Sequence, residues 1–149
     1  MKRKGKRKMW IVIGSVIVCV AAILGGGIVF TGAGRRELKN LPIESVDFHQ
    51  LKDGTYTGEY KGQKDAFRNA RVQVTVASGK VSQIEGMDGA LMKDGVPAHL
   101  NAKGDTIQDL YGRVVSSQSL QVDVISGATL TSKAHLKAVE NAVKQAQAK

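Results

Sequence analysis

The chain has 149 residues, with 22 lysines and arginines against 13 acidic residues and a formal net charge of +9. Six of the basic residues lie within the first eight positions and the rest of the chain is close to charge balance, which removes the main argument for nucleic-acid binding. A single cysteine excludes an intramolecular disulfide and a haem attachment motif, so any redox chemistry requires a bound cofactor.

The N-terminus predicts a membrane anchor at residues 9–31, preceded by a basic cytoplasmic tail at residues 1–8. A helix of about 22 apolar residues spans about 33 Å, which matches the ~30 Å hydrocarbon core of a bilayer. Because the basic cluster precedes the apolar stretch, the positive-inside rule predicts a single-pass protein in the cell membrane with an extracytoplasmic C-terminal domain. The alternative is a signal peptide cleaved near residues 31–33, although its apolar region would be unusually long.

Residues 32–50 lack sustained periodicity and predict a linker to one domain at residues 51–149. Polar and apolar residues alternate at 55–60 and at 71–76, so two strands are expected there. Ser78-Gly79 predicts a turn into a third strand at 81–87. Val81 and Ile84 fall out of the two-residue period of that strand, which indicates either a β-bulge or a short strand that begins at one of them.

An irregular loop is expected at residues 88–103, where glycine and proline interrupt the apolar residues, and such a loop is a plausible contributor to a binding pocket. A helix follows, with a capping box formed by Thr106 and Asp109. Its buried face is predicted to consist of Ile107, Leu110, Tyr111, Val114 and Val115. Gly112 inside this helix indicates either close packing or a weak helix.

Alternation at residues 120–124 predicts a fourth strand, and an apolar stripe predicts a C-terminal helix that begins near Ser132. The stripe consists of Leu136, Val139, Val143 and Ala146. The expected fold class is therefore α+β: one N-terminal transmembrane helix, then a small domain with a short antiparallel sheet, one internal helix and a C-terminal helix.

The most distinctive stretch is the seven-residue motif from Asp123 to Thr129, at the junction of the last predicted strand and helix. The first turn of a helix presents unpaired N–H groups and a positive dipole end, which favour a phosphate. Gly127 permits a positive φ, Ala128 leaves space, and Thr129 offers a hydroxyl that can accept a phosphoryl group, with Lys133 close in sequence. The alternative is that the hydroxyl side chains of the motif only cap the helix.

From residue 53 to residue 148, the chain resembles the FMN-binding domain of covalently flavinylated subunits in sodium-pumping NADH:quinone oxidoreductases and Rnf-type complexes. Residues 53–58 are similar to the family's opening strand, and the motif matches its pattern Asp-x-x-Ser/Thr-Gly-Ala-Thr. In that family the last threonine carries FMN through a phosphoester, which implies the same role for Thr129. The larger members have longer regions around the domain, so the resemblance does not assign this chain to one complex.

The resemblance also implies a separate FAD-dependent flavin transferase, acting with Mg²⁺, as a partner. This enzyme would recognise Asp123, Ser126, Gly127 and Ala128 around the modified threonine. These four residues and Thr129 are the expected cofactor-binding set, and no residue of the chain is expected to be catalytic.

The expected function is therefore a membrane-anchored extracytoplasmic flavoprotein. It would carry electrons from a membrane donor to an extracytoplasmic acceptor, as a carrier or subunit rather than as a stand-alone enzyme. The alternatives are a non-covalent FMN-binding or sensing module and a purely structural anchor protein. No metal site is expected, because the three histidines, His49, His99 and His135, are scattered in the sequence.

Overall fold

The computed structural model describes residues 32, 34–64 and 68–147. The predicted tail and anchor, residues 1–8 and 9–31, lie outside the described residues. Within the described residues, no helix has both the length and the apolar character needed to cross a bilayer. The transmembrane helix therefore stays a prediction.

A three-stranded antiparallel sheet forms one layer of the domain, in the order β1 (Gly54–Tyr60), β2 (Ala70–Ala77) and β3 (Lys80–Gly86). The alternating valines of β2 all point into the core, as the two-residue period predicted. The register of β2 against β3 shifts between Thr75 and Val76. This shift is the expected bulge, and it lets both Val81 and Ile84 be buried.

Two helices cover the sheet: α1 (Ile107–Ser117) packs against β3, and α2 (Thr129–Gln147) packs across β1 and β2. The predicted apolar stripe of α2 is buried, although the helix begins at Thr129 and not near Ser132. At Gly58 a Cβ atom would overlap the Ala138 carbonyl oxygen of α2. Glycine at this position therefore sets how closely the helix approaches the sheet. The small α+β domain is confirmed.

The predicted fourth strand at residues 120–124 is wrong, because this segment pairs with no strand among the described residues. Burial still follows the alternation approximately, with Leu120 buried and Gln121 exposed. Its apolar side chains face those of Leu41, Ile43 and Leu136 across a groove. The segment thus covers its apolar face through side-chain packing alone, and alternation in sequence does not distinguish this arrangement from a paired strand.

The loop at residues 88–103 contains more structure than the sequence predicted. A short 3₁₀ turn (Gly89–Leu91) leads into a small hairpin of β4 (Met92–Lys93) and β5 (Val96–Pro97). Two residues with positive φ, Asp94 and Gly95, connect its strands. The remainder of the loop returns toward the start of α1.

Residues 34–48, here called the N-terminal strap, pack against the domain. Residues 34–39 are helical, and the side chains of Leu38 and Phe48 are both buried in the core. Further along, the Glu44 N–H donates to the Glu140 carboxylate of α2 at 3.0 Å. Most of the segment assigned to a linker from its sequence is thus part of the folded layer over α2.

Candidate functional site

The motif forms a tight turn that leads directly into α2. Gly127 has a φ of +83°, in the left-handed region where a side chain is strained. The Ala128 N–H donates to the Ile125 carbonyl at 3.0 Å and closes the turn. Thr129 is then the first residue of α2. The motif is a junction between a turn and a helix, preceded by an unpaired segment instead of a strand.

The hydroxyl side chains around this junction have different roles. The Ser132 hydroxyl is buried, accepts from the Ile125 N–H at 3.1 Å and donates to the Ala128 carbonyl at 3.0 Å. It fixes the turn against the helix. Three other hydroxyls form no hydrogen bond with any described residue: those of Ser126, Thr129 and Thr131.

The N-terminus of α2 also has no side-chain cap from the described residues. Ala128 precedes the first helical residue and has no polar side chain, and the first turn contains no acidic residue. In α1, by contrast, the Asp109 carboxylate accepts from the Thr106 N–H at 2.7 Å and completes the predicted capping box. The first turn of α2 therefore keeps N–H groups for an external anion, with Thr129 exposed beside them.

Asp123, the first residue of the motif, is exposed and lines an open groove between the strap and α2, here called the Asp123 groove. The groove has a volume of about 470 Å³, and its other lining residues are Leu41, Ile43, Leu120, Gln121, Val122, Val124, Lys133 and Leu136. The Lys133 ammonium donates to the Lys39 carbonyl at 2.7 Å. The lysine expected to offset a phosphate charge is thus held by the strap.

The long loop does contact the motif, through Asn101. Its side-chain amide donates to the Ser126 carbonyl at 3.2 Å and to the Asp105 carboxylate at 2.7 Å. Its amide oxygen accepts from the Asp105 N–H at 3.0 Å. Asn101 therefore ties the turn of the motif to the start of α1. The sequence predicted a contribution from this loop but contained no signal for the residue.

A second cavity lies beside the second turn of α2, here called the His135 cavity. It encloses about 330 Å³ and is lined by Arg68, Asn69, Asp88, Leu91, Thr131, Ala134 and His135. His135 is only 3% exposed, and the Tyr111 hydroxyl lies 2.7 Å from its Nδ1 atom. Burial lowers the pKa of His135 to about 4, so its ring is neutral at pH 7. Burial likewise raises the pKa of Tyr111, which stays protonated.

Sequence reasoning missed this pair because its members come from two helices, 24 residues apart in the chain. Tyr111 was interpreted as a core residue of α1, which its burial confirms. His135 was interpreted as one of three scattered histidines. The only available signal was its spacing four residues after Thr131, which places both on one face of a helix.

The arrangement has the features that FMN requires. Free N–H groups at a helix start suit a phosphate, and Thr129 supplies a hydroxyl at the same point. The His135 cavity and the Asp123 groove both fall within the roughly 300–1,000 Å³ range of small-molecule sites. Residues 126–128 and Thr129 would hold the phosphate end, and the His135 cavity and the Asp123 groove are candidate locations for the ring.

The chain is similar to a solved structure and to one family of proteins. A crystal structure of the CPE2226 protein from Clostridium perfringens is similar, with 25% identity, a TM-score of 0.48, and coverage of 65% of this chain and 89% of that chain. No curated protein sequence matches the chain significantly. The family model of the FMN-binding domain matches residues 43–144, which include part of the strap, the sheet and the motif. The chain therefore belongs to the FMN-binding domain family, and its cofactor is FMN.

Proposed function

We propose that this protein holds FMN through a phosphoester on Thr129 and uses it to carry electrons outside the cytoplasm. The observation that carries the proposal is the exposed Thr129 hydroxyl, which forms no hydrogen bond with the described residues and lies at an uncapped helix start. A purely structural turn would use such hydroxyls as caps, whereas among the hydroxyls of this turn only that of Ser132 bonds to residues that the structure describes. Membership of an FMN-binding family supports FMN as the group that this hydroxyl would carry.

Attachment requires a separate flavin transferase with FAD as donor. The Thr129 oxygen forms a bond to the phosphorus of the FMN half, the pyrophosphate bond of FAD breaks, and AMP leaves while the hydroxyl proton is released. Asp123, Ser126 and Gly127 are all exposed, so an external enzyme has access to them around the threonine. The N–H groups of the first turn of α2 would then stabilise the negative charge of the phosphodiester.

FMN supplies the electron-transfer chemistry, while the protein binds, orients and shields the flavin. The predicted anchor at residues 9–31 supports a position at the outer face of the cell membrane, where a dissociable cofactor would be lost to the exterior. Tethering also raises the effective concentration of a membrane electron donor and an extracytoplasmic acceptor without requiring a tight interface. We propose no nucleic-acid partner.

Intact mass and flavin fluorescence on a denaturing gel test the attachment, using the full chain expressed with a flavin transferase and exported. The expected result is a gain of one FMN less one water, located on the peptide that contains Thr129. Thr129→Ala should abolish the gain, and Thr131→Ala, which removes a second free hydroxyl of the same turn, should retain it. Flavin that co-purifies but is released on denaturation would instead establish the non-covalent binding module.

Cell fractionation and protease treatment of intact spheroplasts test the location. The domain should remain with the membrane fraction and be digested from outside. Recovery of an intact domain after the spheroplasts are treated would contradict an extracytoplasmic position.

A further inference from the structure

The His135 cavity contains a polar atom that the fold leaves without a protein partner. The imidazole of His135 has two nitrogens, and only Nδ1 is paired, with the Tyr111 hydroxyl at 2.7 Å. No described residue bonds to Nε2, although the residue is 97% buried, and the ring lines the cavity. Nε2 is not among the fully buried polar atoms of the described residues that lack a partner, so it borders the open space of the cavity, where a ligand atom can reach it. The cavity therefore holds a position for a ligand atom that pairs with Nε2.

The Tyr111 hydroxyl decides whether Nε2 is a donor or an acceptor. Among the described residues that hydroxyl has one acceptor within reach, the Nδ1 atom of His135. If Nδ1 carried the proton, the buried Tyr111 hydroxyl hydrogen would have no acceptor. The hydroxyl thus donates to Nδ1, and the neutral ring carries its proton on Nε2. The cavity consequently presents an N–H donor.

The cavity lies less than two helical turns from Thr129 along α2. His135 is six residues beyond Thr129 in α2, which is about 9 Å along the helix axis. Thr131, which also lines the cavity, lies between them. Thr129 shares a helix face with Lys133, four residues later, so a ribityl chain from a phosphate at Thr129 would also pass around the helix, by way of Thr131, to reach the cavity. The isoalloxazine ring at its end carries carbonyl oxygens and ring nitrogens that accept hydrogen bonds.

We propose that the isoalloxazine ring of the bound FMN lies in the His135 cavity, where the Nε2–H group of His135 donates a hydrogen bond to an acceptor of the ring. This inference rests on the proposed function at Thr129 and adds the location of the ring. Leu91 and Ala134 supply apolar contacts in the same cavity. The Asp123 groove is the competing location, but it is more open, and its one ammonium group already donates to the strap.

His135 would then be a positioning residue that tunes the flavin. Reduction places additional electron density on the ring nitrogens and carbonyl oxygens, so a fixed donor stabilises the reduced form more than the oxidised form. The midpoint potential is raised accordingly. Tyr111 acts one step further out, because it holds the tautomer that makes Nε2 a donor.

Spectroelectrochemistry of the covalently loaded full chain tests the location. His135→Leu removes the donor at similar volume, His135→Gln keeps an amide donor, and Val122→Phe fills the Asp123 groove. We expect His135→Leu to lower the midpoint potential, shift the visible flavin spectrum and increase quenching by iodide, with His135→Gln intermediate. Val122→Phe should leave all three unchanged. Mass gain at Thr129 should be equal in every variant.

Two further measurements test the location of the ring if His135→Leu fails to fold or if covalent attachment fails. Tyr111→Phe removes one oxygen atom and should lower the midpoint potential, as His135→Leu does. It takes the place of His135→Leu if that variant fails to fold. In the Thr129→Ala chain, which binds FMN only non-covalently, His135→Leu should weaken FMN binding about three- to tenfold, the value of one hydrogen bond. This second measurement remains informative even if covalent attachment fails.

The proposal is overturned if His135→Leu and Tyr111→Phe leave the potential, spectrum and iodide quenching of the parent unchanged. It is equally overturned if Val122→Phe changes these quantities and His135→Leu does not, since the ring would then lie in the Asp123 groove. A lost mass gain in the parent protein would contradict only the attachment at Thr129.

Discussion

Three glycines of this domain differ in backbone conformation and in the space around them. Gly127 adopts a φ of +83° in the exposed turn of the motif. Gly58 lies where α2 comes closest to β1, and a Cβ atom there would be 2.7 Å from the Ala142 nitrogen. Gly112 is exposed in α1 with open space around it, so the close packing that its position suggested is wrong.

Alanine substitution at these glycines should therefore change stability in opposite directions. Gly112→Ala should raise the free energy of unfolding by about 1 kcal/mol, because alanine is the better helix former. Gly127→Ala should lower it by about 1 kcal/mol through the left-handed φ. Gly58→Ala should cost the most, since helix and strand must separate. Urea unfolding of the three variants measures this order, and a destabilised Gly112→Ala would show a constraint on α1 that its geometry lacks.

The buried His135 should make stability depend on pH. Its pKa is about 4 in the fold against an ordinary value of 6.5, so the unfolded chain binds a proton first as the pH falls. Stability is then complete above about pH 6.5 and decreases toward pH 4, by about 2 kcal/mol at pH 5. Asp88 and Tyr111 face this ring and do not reverse the sign, because burial is the larger effect.

Urea midpoints of the Thr129→Ala chain, which cannot hold covalent flavin, measure this loss between about pH 8 and pH 5. His135→Gln should flatten the profile over that interval. The carboxyl groups with lowered pKa values, Glu37, Glu59, Asp109 and Glu140, lose their contribution only near pH 4.5 and below. An unchanged profile in His135→Gln would show that another group titrates.

One buried carboxylate of α2 contributes to holding the strap, beside the bonds that the Lys133 and Lys137 ammonium groups donate to strap carbonyls. The side chain of Glu140 is fully buried, accepts from the Lys137 and Lys144 ammonium groups at 2.8 and 2.7 Å, and accepts from the Glu44 N–H. Burial alone would raise the pKa of Glu140, but the hydrogen bonds from the two lysines outweigh it and keep the carboxyl ionised. A buried charge in this position needs all of its partners.

Glu140→Ala should therefore lower the free energy of unfolding by about 3 kcal/mol and release the strap. Limited proteolysis should then cut within residues 34–48 faster than in the parent. Glu140→Gln keeps an oxygen for the Glu44 N–H and should lose less. Equal cleavage rates in the parent and Glu140→Ala would show that the buried Leu38 and Phe48 hold the strap without the carboxylate.

The sequence predicts the helices and strands better than it predicts which segments pack against each other. The strands, the bulge and both helices follow from local periodicity, which records a buried face directly. The segment at 120–124 also has a buried face, but its partners are side chains of the strap and not a neighbouring strand, and periodicity does not encode the partner. The strap itself has no period because it is held by separate anchors such as Leu38, Glu44 and Phe48.

One part of the candidate site could be predicted from the sequence and another part could not. Its proposed attachment end, from Asp123 to Thr129, is contiguous, so a sequence motif can identify these residues. The pairing of Tyr111 with His135 and the contact of Asn101 with the turn join residues that are 24 and 25 positions apart. Such pairs arise from the packing of α1 and the long loop against α2. A single sequence contains no information on that packing.

For the whole molecule, the strap determines where the domain begins. The packed residues start at 34, only a few positions after the predicted end of the anchor at 31. If that anchor spans the membrane as proposed, no long tether separates the domain from the bilayer. The strap also forms one wall of the Asp123 groove, through Leu41 and Ile43.

Two truncations test whether the strap belongs to the domain. Removing residues 1–31 should leave the thermal midpoint of the domain unchanged, because the core contacts of Leu38 and Phe48 are kept. Removing residues 1–50 deletes both side chains, each worth about 1.5–3 kcal/mol of burial, and removes the Glu44 N–H that donates to the Glu140 carboxylate. A domain of this size has about 5–15 kcal/mol of stability in total, so the shorter chain should melt far lower or fail to fold. Equal midpoints for the two chains would mean that residues 32–50 are the flexible linker that their sequence suggested, and that the domain is free to move away from the bilayer.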